Sequence, residues 1–184
     1  MKYIHYIRIL FLLMFLGSCA QQEARRPVSQ KTHSYIKESV KRNQKLVAAE
    51  EAEIKKVIAR NPTEEFISSD YGFWYAYTTK NETDSIMPLF GDAVTFTYTI
   101  NSLNDAPILT KQETGIQRYK IDQTNQDLIT GIREGLKLMK EGETVDFYFP
   151  SYLAYGYYGI PDKLGSNYPI KSTVTLLSIN QENN

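Results

Sequence analysis

Beyond Pro62 the apolar residues of this chain recur at every second position, and that period restricts the fold more than any other feature of the sequence. Phe73, Tyr75 and Tyr77 alternate with Trp74 and Ala76; Val94, Phe96, Tyr98 and Ile100 with Thr95, Thr97 and Thr99; Val145, Phe147 and Phe149 with Asp146 and Tyr148. Tyr119 and Ile121 flank Lys120, and Val174, Leu176 and Ile179 close the series. Successive side chains of a strand point to opposite faces, so these runs, rich in β-branched and aromatic residues, read as half-buried strands. One helical stretch interrupts them: Ile129, Ile132, Leu136 and Met139 step by three, four and three and share a face. Thr130 is placed to cap its start through the hydroxyl, and Gly142 suits a left-handed stop after Lys140 and Glu141. The expected fold class is α+β, an antiparallel sheet wrapped around one short helix.

A second helix is expected ahead of the sheet, from about Ser34 to Arg60, where Ile36, Val40, Val47, Ile54 and Ile58 recur at helical spacing among Lys, Glu and Arg. Asn61-Pro62 ends it, because proline disfavours a helical residue before it. It reads as a helix that packs one stripe on the domain and solvates the rest; the alternative is a spacer or docking helix. Residues 20–30 are polar and aperiodic, as in a flexible tether. Lys2 and Arg8, the apolar run Ile9 to Leu16 and the small residues Gly17 and Ser18 form a secretory signal pattern. Leu16-Gly17-Ser18-Cys19 looks like a bacterial lipoprotein box, which would cut before Cys19 and attach lipid to its sulfur. The expected division is therefore a signal peptide at 1–18, a lipidated tether at 19–33, a helical extension at 34–62 and a domain at 63–184.

The titratable residues narrow the chemistry. His5 and His33 are the only histidines and Cys19 the only cysteine, so the sheet region has neither. Ser-His and Cys-His nucleophilic machinery and the usual zinc sites are excluded there, and no metal is expected. Lys and Arg balance Asp and Glu at 21 each, so no basic field points to nucleic acid.

Four stretches then fall into register. Leu128-Ile129-Thr130-Gly131-Ile132-Arg133-Glu134-Gly135-Leu136, running on to Glu143, resembles the helix signature of FKBP-type peptidyl-prolyl isomerases. Pro150-Ser151-Tyr152-Leu153-Ala154-Tyr155-Gly156 is similar to that family's Ala-Tyr-Gly loop. Gly91-Asp92-Ala93-Val94 leading to Tyr98 is similar to its Gly-Asp-x-Val strand, and Pro169 with Ser172-Thr173-Val174 to its last turn and strand. Order and spacing match over residues 88–179. With the lipoprotein box and the helix, the whole chain also resembles gliding-motility-associated FKBP-type lipoproteins of Bacteroidetes.

The resemblance implies an FKBP-like sheet around its helix and a peptidyl-prolyl cis–trans isomerase without cofactor. It implies that the Tyr155 hydroxyl hydrogen-bonds the substrate, that the backbone N–H of Ile129 donates to a substrate carbonyl, and that Tyr98 forms part of the wall. Tyr119, Ile121, Leu128, Ile132, Leu109, Thr110 and Leu176 match the remaining pocket positions. Ile132 stands where the family often has a tryptophan floor; Trp74, the only tryptophan, is not assignable as its replacement. Leu109 takes an aromatic place and Thr110 an aspartate place, where a hydroxyl can bond Tyr98 but brings no charge. Asp105 keeps the preceding turn. The expected partners are proline-containing segments of exported or membrane proteins. The chain itself is expected to be a monomer held to a membrane in the cell envelope, on the periplasmic face, by lipid on Cys19. These departures leave two alternatives: a catalytically weak FKBP-like binding module, or a structural lipoprotein of an envelope machine such as a gliding apparatus. The aromatic loop from Tyr157 to Tyr168 either binds chain segments or packs its tyrosines on the sheet.

Overall fold

A computed structural model of the chain describes residues 32–83, 85–123 and 127–181. The signal pattern, Cys19 and the tether up to residue 31 lie outside the described residues. The chain divides into two units, Met1–Ser39 and Val40–Asn184. In the first, the described residues are helical and open α1 (Thr32–Arg60). No helix among the described residues is long and apolar enough to cross a membrane.

The second unit continues α1 and adds β1 (Ile67–Ser68), β2 (Trp74–Thr79), β3 (Ala93–Ser102), β4 (Pro107–Leu109), α2 (Lys111–Thr114), β5 (Ile116–Lys120), α3 (Thr130–Leu136), β6 (Thr144–Phe149) and β7 (Ile170–Asn180). The strands form one seven-stranded sheet in the order β1-β2-β6-β7-β3-β4, with β5 also paired to β3. Every pairing is antiparallel. This is the α+β arrangement expected from the period-two runs. Long β3 and β7 form the spine, pairing from Ala93↔Asn180 to Ser102↔Ile170 with one register shift between Thr95 and Phe96.

α3 lies on the sheet because its glycines permit it. A Cβ added at Gly131 would stand 2.5 Å from Cδ1 of Phe149, and one at Gly135 would stand 2.9 Å from Cε1 of Phe147. The two phenylalanine rings stack at 5.5 Å, and Phe73 meets Phe149 edge-on at 5.3 Å. Ile132, Leu136 and Met139 are fully buried around them, so the helical spacing identified the core face correctly. Its ends differ from expectation. Ile129, not Thr130, is the N-cap, and the Thr130 hydroxyl accepts from the Arg133 guanidinium at 3.0 Å. The helix stops at Leu136, so Gly142, at φ 83, closes the turn into β6 and donates its N–H to the Leu176 carbonyl at 2.8 Å. Met139 is buried after the helix has ended, carried inward by turns whose amides reach back to Gly135 and Leu136.

The outer face of the sheet is drier than simple alternation suggests. Tyr148, on the nominally polar side of β6, is 2% exposed. Phe66 meets its ring edge-on at 5.5 Å, and the Lys171 ammonium lies 5.7 Å from its centroid. α1 packs only its C-terminal half. Ile54 is fully buried and Val47 and Ile58 are half-buried, whereas Ile36 and Val40 are exposed. Lys55 covers the Trp74 ring at 5.5 Å. The buried stripe also contains a charge: Glu50 is 4% exposed and accepts from both the N–H and the hydroxyl of Ser151 at 2.7 Å.

Candidate functional site

Tyr98 and Tyr155 come from distant parts of the chain and meet beside the core. β3 carries Tyr98, and its main-chain carbonyl accepts from the Thr114 hydroxyl at 2.6 Å. Tyr155 follows a 3-10 turn at Ser151–Leu153. The amides of the residues on either side of it both donate to the Ser151 carbonyl, Ala154 N–H at 2.9 Å and Gly156 N–H at 2.8 Å. The Tyr155 carbonyl accepts from Gly159 N–H at 3.1 Å. Burial, then the neighbouring Tyr98, pushes the Tyr155 hydroxyl well above its ordinary 10.0; burial also raises Tyr98. Removing water penalises phenolate more than phenol, so both groups are held as neutral hydroxyls. A neutral phenol half-buried at the edge of an apolar core is a hydrogen-bond donor for a ligand carbonyl.

A cleft of about 400 Å³ opens next to Tyr98, lined also by Phe96, Gln117, Arg118, Tyr119, Asp127 and Leu128. Tyr98, Tyr119 and Leu128 are thus brought together on one cleft; Tyr155 neighbours Tyr98 but is not among the residues that line it. Leu109, Ile129 and Tyr155 are partly buried against the cluster that contains Phe96 and Tyr119. Ile121, Ile132 and Leu176 belong to that cluster at 1%, 0% and 0% exposure. They form packing behind the cleft wall. Ile129 precedes the first turn of α3, where no carbonyl of the helix reaches its amide, so that N–H has no intrahelical role. Tyr119 is distinctive: its hydroxyl is buried and has no partner among the described residues. Trp74, with Lys55 over its ring, is absent from this cleft. A larger hollow, of about 620 Å³ between α1 and the loop after β6, is lined by residues including Leu46, Val47, Tyr152 and Tyr157 and not by Tyr98.

Thr110 departs from expectation. Its hydroxyl donates to Glu113 at 2.8 Å and accepts weakly from the Glu113 N–H at 3.4 Å, forming a capping box on α2. It is therefore turned away from Tyr98, and Thr114 supplies the threonine contact there, to the main chain. Asp105 does adopt the left-handed turn, at φ 62. Glu113 also pairs with Lys163 of the aromatic loop. Lys163, then the Thr110 N–H and hydroxyl, holds the Glu113 carboxyl at about 2, below its ordinary 4.5. That link is intact above pH 4.5 and is lost as pH falls through about 2. In the aromatic loop, Tyr157, Tyr158 and Tyr168 remain 74%, 91% and 53% exposed, so they do not pack on the sheet.

Sequence reasoning did not select Gln117, Arg118 or Asp127, which line the cleft, or Glu113 and Lys163, which join the segments beside it. Lone polar residues on a strand or loop read as solvated, and no spacing rule joins residues 50 positions apart.

A family model described as FKBP-type peptidyl-prolyl cis-trans isomerase matches residues 85–177. No curated protein matches the sequence. Among solved structures, FkpA from Escherichia coli superposes with a TM-score of 0.57 at 23% identity, covering 82% of this chain and 69% of that one. A peptidyl-prolyl cis-trans isomerase from Pseudomonas syringae pv. tomato superposes with a TM-score of 0.58 at 18% identity, covering 75% and 96%. At these identities the superpositions speak for the fold: the sheet with its short helix is FKBP-like.

Proposed function

The chain belongs to the FKBP-type peptidyl-prolyl cis-trans isomerases, and we propose that its cleft accelerates rotation about X-Pro bonds by non-covalent means. The barrier to that rotation is about 18–20 kcal/mol, because amide resonance is lost at the twisted geometry. No bond has to break. The planar amide is the more dipolar and better hydrated form, so apolar walls such as Phe96, Tyr119 and Leu128 favour the twisted one. Tyr155, with the Ile129 N–H, holds the substrate carbonyl while the group across the bond rotates. A differential stabilisation of about 5.5 kcal/mol gives roughly ten-thousand-fold acceleration.

The observation that carries this reading is the neutral tyrosine pair, Tyr98 and Tyr155, half-buried against the apolar core beside the cleft. The test is isomerisation of several X-Pro peptides by the purified chain; no rate above the spontaneous one defeats it. Tyr155→Phe is expected to lower kcat/KM by roughly three- to tenfold, the net worth of one hydrogen bond to a neutral acceptor. The pH profile of kcat/KM is expected to be flat from about pH 6 to about pH 9, since burial raises Tyr98 and Tyr155 and both stay protonated there. Both tyrosines are raised, so above pH 10.0 the unfolded chain releases its phenolic protons first, and stability falls as pH rises.

A second reading is a binding module with little turnover, favoured by the aliphatic Ile132 and by Thr110 turned toward Glu113. Peptide binding by a chain that leaves the isomerisation rate unchanged would select it. For location, the box ending at Cys19 supports lipid attachment, exported or membrane-bound clients and a lipoprotein of the gliding-associated kind. Cells fed labelled palmitate are expected to label the wild-type chain and not Cys19→Ser; equal labelling rejects the anchor.

A further inference from the structure

We propose that Glu50, from the helix ahead of the sheet, is a positioning residue for Tyr155; the proposal rests on the isomerase reading of the cleft. Glu50 lies on the buried stripe of α1, one turn before the fully buried Ile54. Its two carboxylate oxygens are spent on one residue: Oε2 accepts from the Ser151 N–H and Oε1 from the Ser151 hydroxyl, both at 2.7 Å. Ser151 is itself 3% exposed, so this charge-assisted pair is shielded from water. The remaining main-chain polar group of Ser151, its carbonyl, accepts from the amides of Ala154 and Gly156, the residues on either side of Tyr155. Gly156 in turn accepts from Asn167 N–H at 2.7 Å.

All three polar groups of Ser151 are therefore engaged, two by α1 and one by the turn that presents Tyr155. Glu50 fixes Ser151 in place, and Ser151 holds the amides of Ala154 and Gly156, between which the chain presents the phenol. After the 3-10 turn at Ser151–Leu153 the chain is irregular, with Ala154 at φ −108 and ψ −123 and Gly156 at φ 54, so no regular ladder holds Tyr155. Removing the carboxylate would leave a buried N–H and a buried hydroxyl unpaired, and the turn would have to open to satisfy them. The helix thus supplies an outer support to a pocket it never touches.

The test is isomerisation kinetics on the full chain, together with exchange rates of the Ala154 and Gly156 amides by NMR. Glu50→Ala is expected to lower kcat/KM roughly tenfold and to speed exchange at both amides. Glu50→Gln should stay within roughly twofold of wild type, because an amide oxygen can accept from the Ser151 N–H while its NH₂ donates to the hydroxyl. In a Tyr155→Phe background, Glu50→Ala should cost less than roughly threefold, since the group it orients is gone. Should Glu50→Ala fail to fold, Ser151→Ala, which removes one of the two bonds, serves with an expected loss of roughly threefold. Equal losses for Gln and Ala, full additivity with Tyr155→Phe, or unchanged exchange at Ala154 and Gly156 would overturn the proposal. A wild-type chain with no isomerase activity overturns the functional reading instead; the exchange rates then decide the Glu50 link alone.

Discussion

Phe149→Ala is expected to lose about 3–5 kcal/mol of folding stability, read from the denaturant midpoint. Phe149 is fully buried, stacked on Phe147 at 5.5 Å and met edge-on by Phe73 at 5.3 Å, so truncation removes a ring from the centre of the core. The same ring sets a limit on α3. Gly131→Ala would place its Cβ 2.5, 2.6 and 2.8 Å from three atoms of that ring, and the stacked neighbours leave it nowhere to turn. Overpacking of this kind costs about 1–3 kcal/mol, against about 1 kcal/mol regained because alanine suits a helix better than glycine. The sign should therefore reverse with context. In the wild type Gly131→Ala destabilises; in a Phe149→Ala background it should stabilise by about 1 kcal/mol. Destabilisation by Gly131→Ala in both backgrounds would mean that the glycine serves something other than close approach.

Ile132→Ala is the second large effect, with about 2–5 kcal/mol expected, against about 0.5–1.5 kcal/mol for Ile132→Val. The residue has no exposed surface and lies in the cluster shared with Phe96 and Tyr119, which reach the cleft. Family resemblance makes this position the pocket floor, whereas its burial makes it core. Kinetics on the folded protein separate the two. If Ile132 supports the cleft from behind, Ile132→Ala lowers kcat/KM roughly tenfold even where the variant is fully folded, because Tyr119 and Phe96 lose their backing. A kcat/KM equal to wild type would assign Ile132 to stability alone.

The α+β fold was legible because its signals are local. The period-two runs in β2, β3 and β6 and the stepped apolar face of α3 are dictated by the direction of successive side chains. The Asn61-Pro62 stop worked for the same reason, since the proline ring acts on the residue beside it. Misplaced details share another cause. Thr130 has cap chemistry but sits one position inside the helix, and the Thr110 hydroxyl, expected at Tyr98, caps α2 with Glu113. Which partner wins depends on where the Glu113 carboxylate and the Arg133 guanidinium stand once the chain is packed. Tyr148 read as an outward residue, and only the arrival of Phe66 and Lys171 over its face buried it.

The candidate site divides in the same way. Motif register brought Tyr98, Tyr119, Leu128 and Tyr155 forward as candidates, because each follows a local pattern of strand or turn residues. Their meeting on one side of the core, and the depth that keeps both hydroxyls neutral, follow from the antiparallel pairing of strands far apart in sequence. Glu50 shows the boundary most clearly. In a helix crowded with Lys and Glu it looked like one more solvated charge, and its position between Val47 and Ile54 carried no weight. A carboxylate is buried only where donors await it, and those donors, on Ser151, lie 101 residues away. The sequence alone determined the alternating strands, the glycine-bearing helix and the absence of nucleophilic histidine chemistry in the sheet region. Tertiary structure decided which polar groups are dry and which partners they meet, because desolvation and hydrogen bonding depend on distance in space, which local periodicity does not encode.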